Sequence, residues 1–171
     1  LLAGMPTPVY RMFFCTMFAC GLRLSEACHL RREAMDGERG VLRIMGKGGR
    51  ERQVALHPRL QASLQTYLWE CSPVRPWLFT DPAGAPLDPD QARKIFKGVA
   101  RGMGMTKRVT PHSLRHTYAT LLLEAGTDLR VIQALLGHAT IRSTERYLHV
   151  ATHLLVTSAD PLALLPTAPW W

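Results

Sequence analysis

The stretch PHSLRHTYATLL, residues 111–122, places three basic side chains at the start of a predicted helix. His112, Arg115 and His116 are three and four positions apart, and side chains at that spacing share one face of a helix. We therefore expect the two imidazoles and the guanidinium to point the same way. Such a cluster could bind a metal, hold a phosphate group, or form a polar helix start.

The ends of this helix are marked in the sequence. Thr110 is a favourable N-cap, and Pro111 suits the first helical position because its missing N–H would have no partner there. The helix is predicted to extend to Ala125 and to be closed by Gly126.

Outward from this helix, the hydrophobic patterns predict an α+β domain that is mainly helical, with one small antiparallel β-sheet. The predicted strands are VLRIM (41–45) and RQVAL (52–56), on either side of a glycine-rich turn, and a brief WLF strand (77–79). The other predicted helices are 9–20, a short one capped by Ser25, 58–70, the basic helix 89–101, one capped by Thr127 that ends at Gly137, and one capped by Thr140.

Composition leaves the partner open. The chain has 171 residues, a formal net charge of +8 and 47% hydrophobic residues, which suits one domain, or one domain with a tail. The positive excess favours a polyanionic partner, with nucleic acid first and an anionic membrane surface second. Charge that serves only solubility explains the excess about as well.

The apolar segments and cysteines favour a cytoplasmic protein. The longest apolar stretch, 12–20, is far shorter than the ~20 residues needed to span a bilayer, and no segment has the pattern of a secretion signal. The chain begins with LLAGMPTP and without an initiator Met, so we expect it to be part of a longer protein. No C-x-x-C spacing is present, so we expect reduced thiols at Cys15, Cys20, Cys28 and Cys71.

A metal site is the weaker interpretation of the basic cluster. His112 and His116 have the spacing of two zinc ligands on a helix, and His138 could add a third. The zinc-protease pattern needs a Glu where this chain has Ser113, and Arg115 would place a positive charge beside the cation. We therefore expect no metal and no other cofactor.

A phosphate site is the stronger interpretation. A helix N-terminus presents unpaired N–H groups and a partial positive charge, and both attract phosphate oxygens. Arg115 adds a planar fork that can bind two such oxygens, and His112 can donate a hydrogen bond or transfer a proton near neutral pH. A nucleotide P-loop is not predicted, because neither GKGG nor GMGMTK has the G-x-x-x-x-G-K-[ST] pattern.

Short motifs elsewhere in the chain point to one family. GLRLSEACHL, GKGGRERQV, HSLRHTYAT, LLGHA and STERYLHV follow one another along the sequence. Each alone is weak because short strings recur by chance, but in this order and spacing they resemble the tyrosine recombinase (phage integrase) family. The resemblance extends from about residue 8 to residue 150. It implies a tyrosine-recombinase catalytic domain over residues 1–150, followed by a C-terminal tail over 151–171.

The resemblance also implies a set of active-site residues. Glu26 is expected to brace the site by orienting an arginine or supporting a helix end, and His116 is expected to be structural. The residues implied for the catalytic site are Arg23, Glu26, Lys47, His112, Arg115, His138 and Tyr147.

The implied chemistry is attack of the Tyr147 hydroxyl on a DNA phosphodiester, which gives a 3′-phosphotyrosyl link and a free 5′-hydroxyl. Arginines and histidines can stabilise the transition state without a metal, and the covalent link allows rejoining without ATP. His112 is the expected base and Lys47 the expected acid. A type IB topoisomerase, which shares this chemistry, and a catalytically silent DNA-binding module are the alternatives.

Double-stranded DNA is the implied partner, and a homo-oligomer, a tetramer on paired sites, is the implied assembly. Family members usually carry an N-terminal core-binding domain that completes a clamp around DNA, and often exchange C-terminal segments between subunits. We therefore expect the apolar tail 151–171 to pack on a neighbouring protomer. The basic side chains of the helix 89–101 are expected to contact the DNA backbone. A solvated helix face is nearly as good an explanation of their charge. These residues are Arg93, Lys94, Lys97 and Arg101.

Overall fold

The computed structural model describes residues 1–46, 49 and 51–137. Within them, α-helices accompany one three-stranded antiparallel sheet, so the predicted mainly helical α+β fold is confirmed. The strands are β1 (Met35–Asp36), β2 (Val41–Met45) and β3 (Glu51–Ala55). The helices are α1 (Pro8–Ala19), α2 (Leu24–Cys28), α3 (Pro58–Cys71), α4 (Pro89–Gly102), α5 (Pro111–Glu124) and α6 (Leu129–Leu136).

Helix α1 is the centre of the core. Every side chain from residue 12 to residue 19 is buried, and a helix that is buried all round must be apolar all round, as MFFCTMFA nearly is. Phe13 packs edge-on against Phe79 with ring centres 5.5 Å apart, and Phe14 packs on Phe96 of α4 at 4.9 Å. Because α1 also packs against α3 and α5, it is the common surface on which the other helices are placed.

The sheet has the order β1-β2-β3, and β2 and β3 form the predicted hairpin. The buried side chains of β3 are Arg52 and Val54, so the hairpin points one arginine into the domain. Strand β1 is not apparent in the sequence, because so short a segment cannot show an alternating pattern. The prediction of a strand at 77–79 is wrong: this segment forms an isolated bridge between Trp77 and Arg31.

Helix α2 begins after Arg23, so the predicted Ser25 cap is wrong. Glu26, at the third helical position, turns its carboxylate back to accept the Arg23 N–H at 2.8 Å. This contact satisfies a backbone donor that the helix itself cannot use. The helix therefore starts upstream of the predicted position, and Ser25 lies inside it.

Helix α6 begins after Asp128, so the predicted Thr127 cap is also wrong. The Asp128 carboxylate accepts the Arg130 N–H at 2.8 Å. The Thr127 N–H instead donates to the Leu122 carbonyl at 2.9 Å and closes the end of α5. Gly137 ends α6 as predicted, in the left-handed conformation with φ of 62°.

Gly21 carries the chain from α1 to α2 at a point where α5 and α6 approach. Its φ is +59°, a left-handed conformation that residues with a side chain rarely adopt. A Cβ here would lie 2.6 Å from Tyr118 Cδ1 of α5 and 3.2 Å from Leu136 Cδ2 of α6. Only glycine therefore allows this turn to approach both helices so closely.

We predict that Gly21→Ala lowers the free energy of unfolding by about 2–4 kcal/mol, because it combines left-handed strain with overpacking. The matched control is Gly98→Ala in α4, where an added Cβ meets nothing within 4 Å and helix propensity favours alanine. Urea denaturation followed by circular dichroism measures both variants. Equal stability of the two would contradict this account of the turn.

Candidate active site

A buried carboxylate lies at the centre of the site. The Glu26 side chain is 5% exposed. It accepts four hydrogen bonds at 2.8 Å each: two from the Arg52 guanidinium, one from the Arg23 guanidinium and one from the Arg23 N–H. Both carboxylate oxygens are engaged, so Glu26 orients arginines and caps α2 at the same time.

The arginines also keep Glu26 ionised. Burial by itself raises the pKa of the Glu26 carboxyl, but the hydrogen bonds and charges of Arg52 and Arg23 outweigh burial and lower the pKa to about 2. A buried charge is tolerated only when it is paired in this way. At neutral pH Glu26 is therefore a fixed negative charge among positive ones.

Arg115 of α5 points into the domain. Its guanidinium donates to the carbonyl oxygens of Gly21 at 2.6 Å and Leu136 at 2.5 Å, and its Nη1 lies 4.0 Å from Glu26 Oε2. Both carbonyls lie at or just beyond helix ends, where helical N–H partners are lacking. Burial, together with nearby positive charges, lowers the pKa of Arg115 to about 10, so the guanidinium stays protonated at neutral pH.

The predicted shared face of the basic cluster is therefore wrong for Arg115. His112 and His116 are exposed, whereas Arg115 is 4% exposed. The guanidinium turns inward because two helix-end carbonyls and the Glu26 charge receive it there. The imidazoles are the members of the cluster that face outward at the start of α5.

A cavity of about 530 Å³ opens between the α1–α2 turn, α4 and the start of α5. Arg23 and His112, which are far apart in the sequence, both line it. Arg93 and Lys97 of α4 line it too, alongside apolar side chains. A concave surface with this concentration of basic side chains attracts anions.

The predicted basic residues of α4 fall into two pairs. All four are exposed, but of the described residues that line the cavity only Arg93 and Lys97 come from this helix. Arg93 also forms an ion pair with Asp90 in the preceding turn. Lys94 and Arg101 are exposed on α4 without lining the cavity.

The predicted residues and segments that lie outside the described part of the chain are Lys47, His138, Tyr147, the helix after Thr140 and the tail 151–171. Two of these adjoin segments that are bonded to the site. The carbonyl of Gly137, which precedes His138, accepts a hydrogen bond from Arg23 Nη2 at 3.2 Å. The hairpin that carries Lys47 is tied to Glu26 through Arg52.

Arg52 is a residue of the site that the sequence did not predict. The signal was present, because Arg52 alternates with Val54 and Leu56 and so occupies an inward-facing position of the predicted strand. A charge at such a position needs a buried partner of opposite sign. The identity of that partner, Glu26, became evident only in the folded chain.

The metal site and the membrane partner were alternatives that the sequence left open. Among residues 1–46, 49 and 51–137, no group of three His, Cys, Asp or Glu side chains is placed to hold a metal ion. His112 and His116 are exposed on α5, and His138 is not among the described residues. None of the described helices is long and apolar enough to cross a membrane.

The sequence of the chain matches a known protein family. Residues 5–153 match the profile of the phage integrase family. The chain belongs to this family. The predicted resemblance to tyrosine recombinases is thus confirmed.

Two curated relatives are similar to this chain over most of its length. The putative integrase/recombinase y4qK of Sinorhizobium fredii is 42% identical over 153 residues, which is 88% of this chain and 49% of that protein. Tyrosine recombinase XerC of Rhodospirillum centenum is 41% identical over 150 residues, which is 85% of this chain and 44% of that protein. The chain thus spans about half the length of these relatives.

A solved structure has the same fold. The XerH site-specific recombinase, in a pre-cleavage complex with its difH substrate, superposes with a TM-score of 0.69 at 28% sequence identity. The superposition covers 82% of this chain and 42% of that one. The predicted fold of a tyrosine-recombinase catalytic domain is confirmed.

We predict that Glu26→Gln destabilises the protein at about pH 7 by about 3 kcal/mol, and that this difference shrinks as the pH falls. The pKa of Glu26 is lowered to about 2 in the folded protein. Its ionised form therefore contributes stability above the unfolded pKa of about 4.3, and this contribution is lost as the pH falls toward the folded value.

Chemical denaturation across that pH range measures the difference between Glu26→Gln and the unsubstituted protein. The control is Glu38→Gln, which removes an exposed carboxylate and should cost little. A Glu26→Gln penalty that stays constant with pH would show that the lost contribution is not that of the ionised carboxylate.

Proposed function

We propose that this chain is the catalytic domain of a site-specific DNA recombinase or integrase, which cleaves and rejoins DNA through a 3′-phosphotyrosyl intermediate without metal or ATP. The observation that carries the proposal is the convergence of Arg23 and His112 on one cavity. Glu26 is bonded to Arg23 there, and Arg115 lies 4.0 Å from Glu26. The names of the relatives, and the difH substrate bound to XerH, support this substrate class.

The charges around the cavity suit a phosphoryl transition state. In that state negative charge spreads over the non-bridging oxygens, and preorganised N–H donors stabilise it without having to move. The Arg23 side chain is 39% exposed while Glu26 holds its Nη1, so it is both oriented and accessible. Arg115 adds a positive charge, and its hydrogen bonds to two carbonyl oxygens fix the position of that charge. We assign Arg23, which lines the cavity, to direct contact with the non-bridging oxygens, with His138 as a further donor. Arg115 is 4% exposed and does not line the cavity, so we assign to it the electrostatic stabilisation of the same oxygens by its positive charge.

The proton transfers are assigned to the remaining predicted residues. Tyr147 is the nucleophile, and a tyrosine hydroxyl with an ordinary pKa of about 10 needs a base. His112, which is exposed and lines the cavity, is that base. Lys47, in the turn of the β2–β3 hairpin, is the acid that protonates the departing 5′-oxygen. The phosphotyrosyl link conserves the energy of the phosphodiester bond, so rejoining needs no ATP.

The basic residues of α4 are assigned to the DNA backbone. Arg93 and Lys97 line the cavity and contact phosphates next to the cleaved one, and Lys94 and Arg101 contact the backbone further away. With a net charge of +8, binding depends strongly on salt. In the cytoplasm, the full protein assembles as a homotetramer on paired sites, with the tail 151–171 exchanged between protomers.

We predict that the full-length protein forms a denaturation-resistant adduct with a nicked suicide DNA substrate. Tyr147→Phe binds the same DNA and forms no adduct, because it lacks the attacking hydroxyl. The matched control is Tyr67→Phe, which removes a buried hydroxyl that has no hydrogen-bond partner among the described residues and should keep adduct formation. Denaturing gels measure the adduct, and mobility shifts measure binding. An adduct with Tyr147→Phe would disprove the nucleophile assignment.

Measurements of DNA binding, adduct formation and strand exchange on the full-length protein distinguish the alternative functions. A catalytically silent DNA-binding module gives binding without an adduct. A type IB topoisomerase gives an adduct and relaxes supercoils, but does not exchange strands between paired sites. Site-dependent exchange is the result expected of the proposed recombinase.

We predict that Lys47→Ala cleaves normal DNA on the order of 10²-fold more slowly. It recovers most of its rate when sulfur replaces the bridging 5′-oxygen, because a thiol with a pKa of about 8.5 leaves as a thiolate without an acid. Arg23→Ala shows little such rescue, because its role is at the non-bridging oxygens. Equal defects of Lys47→Ala on the two substrates would exclude the lysine as the acid.

A further inference from the structure

Arg52 is a buried arginine whose nitrogen atoms are all engaged. Nη1 and Nη2 donate to the two oxygens of Glu26 at 2.8 Å each, and Nε donates to the Leu135 carbonyl at 2.9 Å. The residue is 8% exposed and is not among those that line the cavity. Arg52 is therefore placed to act through Glu26 and the end of α6, rather than on DNA directly.

The first branch of these contacts joins the hairpin to α2. Arg52 belongs to β3, the second strand of the hairpin that carries Lys47. Its partner Glu26 also binds the side chain and the backbone N–H of Arg23. The orientation of Arg23 at the cavity thus depends on a carboxylate that Arg52 holds from the opposite side.

The second branch ends at α6. A Cβ on Gly137 would lie 2.8 Å from Arg52 Cδ, so the arginine stem packs closely on this glycine. The Gly137 carbonyl in turn accepts a hydrogen bond from Arg23 Nη2 at 3.2 Å. Arg52 and Arg23 therefore hold the residue that precedes His138 from two sides.

We propose that Arg52 is a positioning residue for DNA cleavage: by pairing with Glu26 and with the end of α6, it aligns Arg23 toward the phosphate and fixes the backbone before His138. This inference rests on the proposed function. Arginine is required because its planar fork meets a carboxylate at two points, whereas a lysine ammonium acts as a point charge. A displacement of a catalytic group by about 1 Å can lower the rate of the chemical step strongly.

Loss of Arg52 also makes the site sensitive to acid. The groups that would still surround Glu26 are Arg23, which precedes α2, and Arg115 of α5, which favour its ionised form. Cys20 and Tyr118 also lie near this network, and burial raises the pKa of each, so both stay neutral. Without its bidentate partner, buried Glu26 becomes easier to protonate, and protonation removes an acceptor that orients Arg23.

The test is single-turnover cleavage of a nicked suicide substrate by the full-length protein, with adduct formation and DNA affinity measured from about pH 8 down to about pH 5.5. Arg52→Lys is expected to bind DNA with unchanged affinity and to form the adduct about tenfold more slowly. Arg52→Met is expected to be slower by about a hundredfold, with a defect that grows toward low pH. The matched control is Arg43→Met, which removes an exposed arginine from β2 and keeps the wild-type rate.

The outcomes distinguish this inference from the proposed function. If the wild-type protein forms no adduct, the proposed function is wrong and the inference is overturned with it. If the wild type forms the adduct and Arg52→Lys matches its rate across the pH range, the inference alone is overturned. A loss of DNA affinity as large as the loss of rate would make Arg52 a DNA contact, and would also overturn it. Failure of both variants to fold, detected by circular dichroism, would overturn it by making Arg52 purely structural.

Discussion

Glu26 binds two arginine guanidiniums directly, from the start of α2 and from β3, and lies 4.0 Å from a third in α5. Positive charges packed this closely repel one another. Burial of any of these guanidiniums without a partner of opposite charge would cost free energy. A single ionised carboxylate with both oxygens engaged makes the arrangement stable. The cluster remains net positive, which favours an anion in the adjoining cavity.

Glu26 orients Arg23 without burying it. Glu26 bonds the Arg23 side chain through one terminal nitrogen, and the Arg23 side chain remains 39% exposed at the cavity. Arg52, by contrast, pairs with both carboxylate oxygens and is buried. The two arginines therefore divide the work: one compensates the buried carboxylate, and the other is left oriented toward solvent, where the proposed DNA phosphate would lie.

Apolar packing brings the charged groups within reach of one another. Helix α1 is buried along most of its length and packs against α3 and α5, which sets the distance between the α1–α2 turn and the helix that carries Arg115. Gly21 lies in this turn, where its missing Cβ admits Tyr118 and its carbonyl accepts from Arg115. Hydrophobic packing and polar pairing thus depend on the same few residues.

Local signals in the sequence were enough to predict most elements and the family. Prolines at the starts of α3, α4 and α5, glycine at the end of α6 and the alternating strands of the hairpin all act over a few residues, so a sequence pattern reports them. Only the tertiary structure decided that Arg115 turns inward and that Arg52 supports the site. The carbonyl partners of these two arginines lie 94, 21 and 83 positions away in the chain. The direction of a long charged side chain is determined by whichever carbonyls and carboxylates folding brings near it, and periodicity and helix caps carry no information about those distant groups.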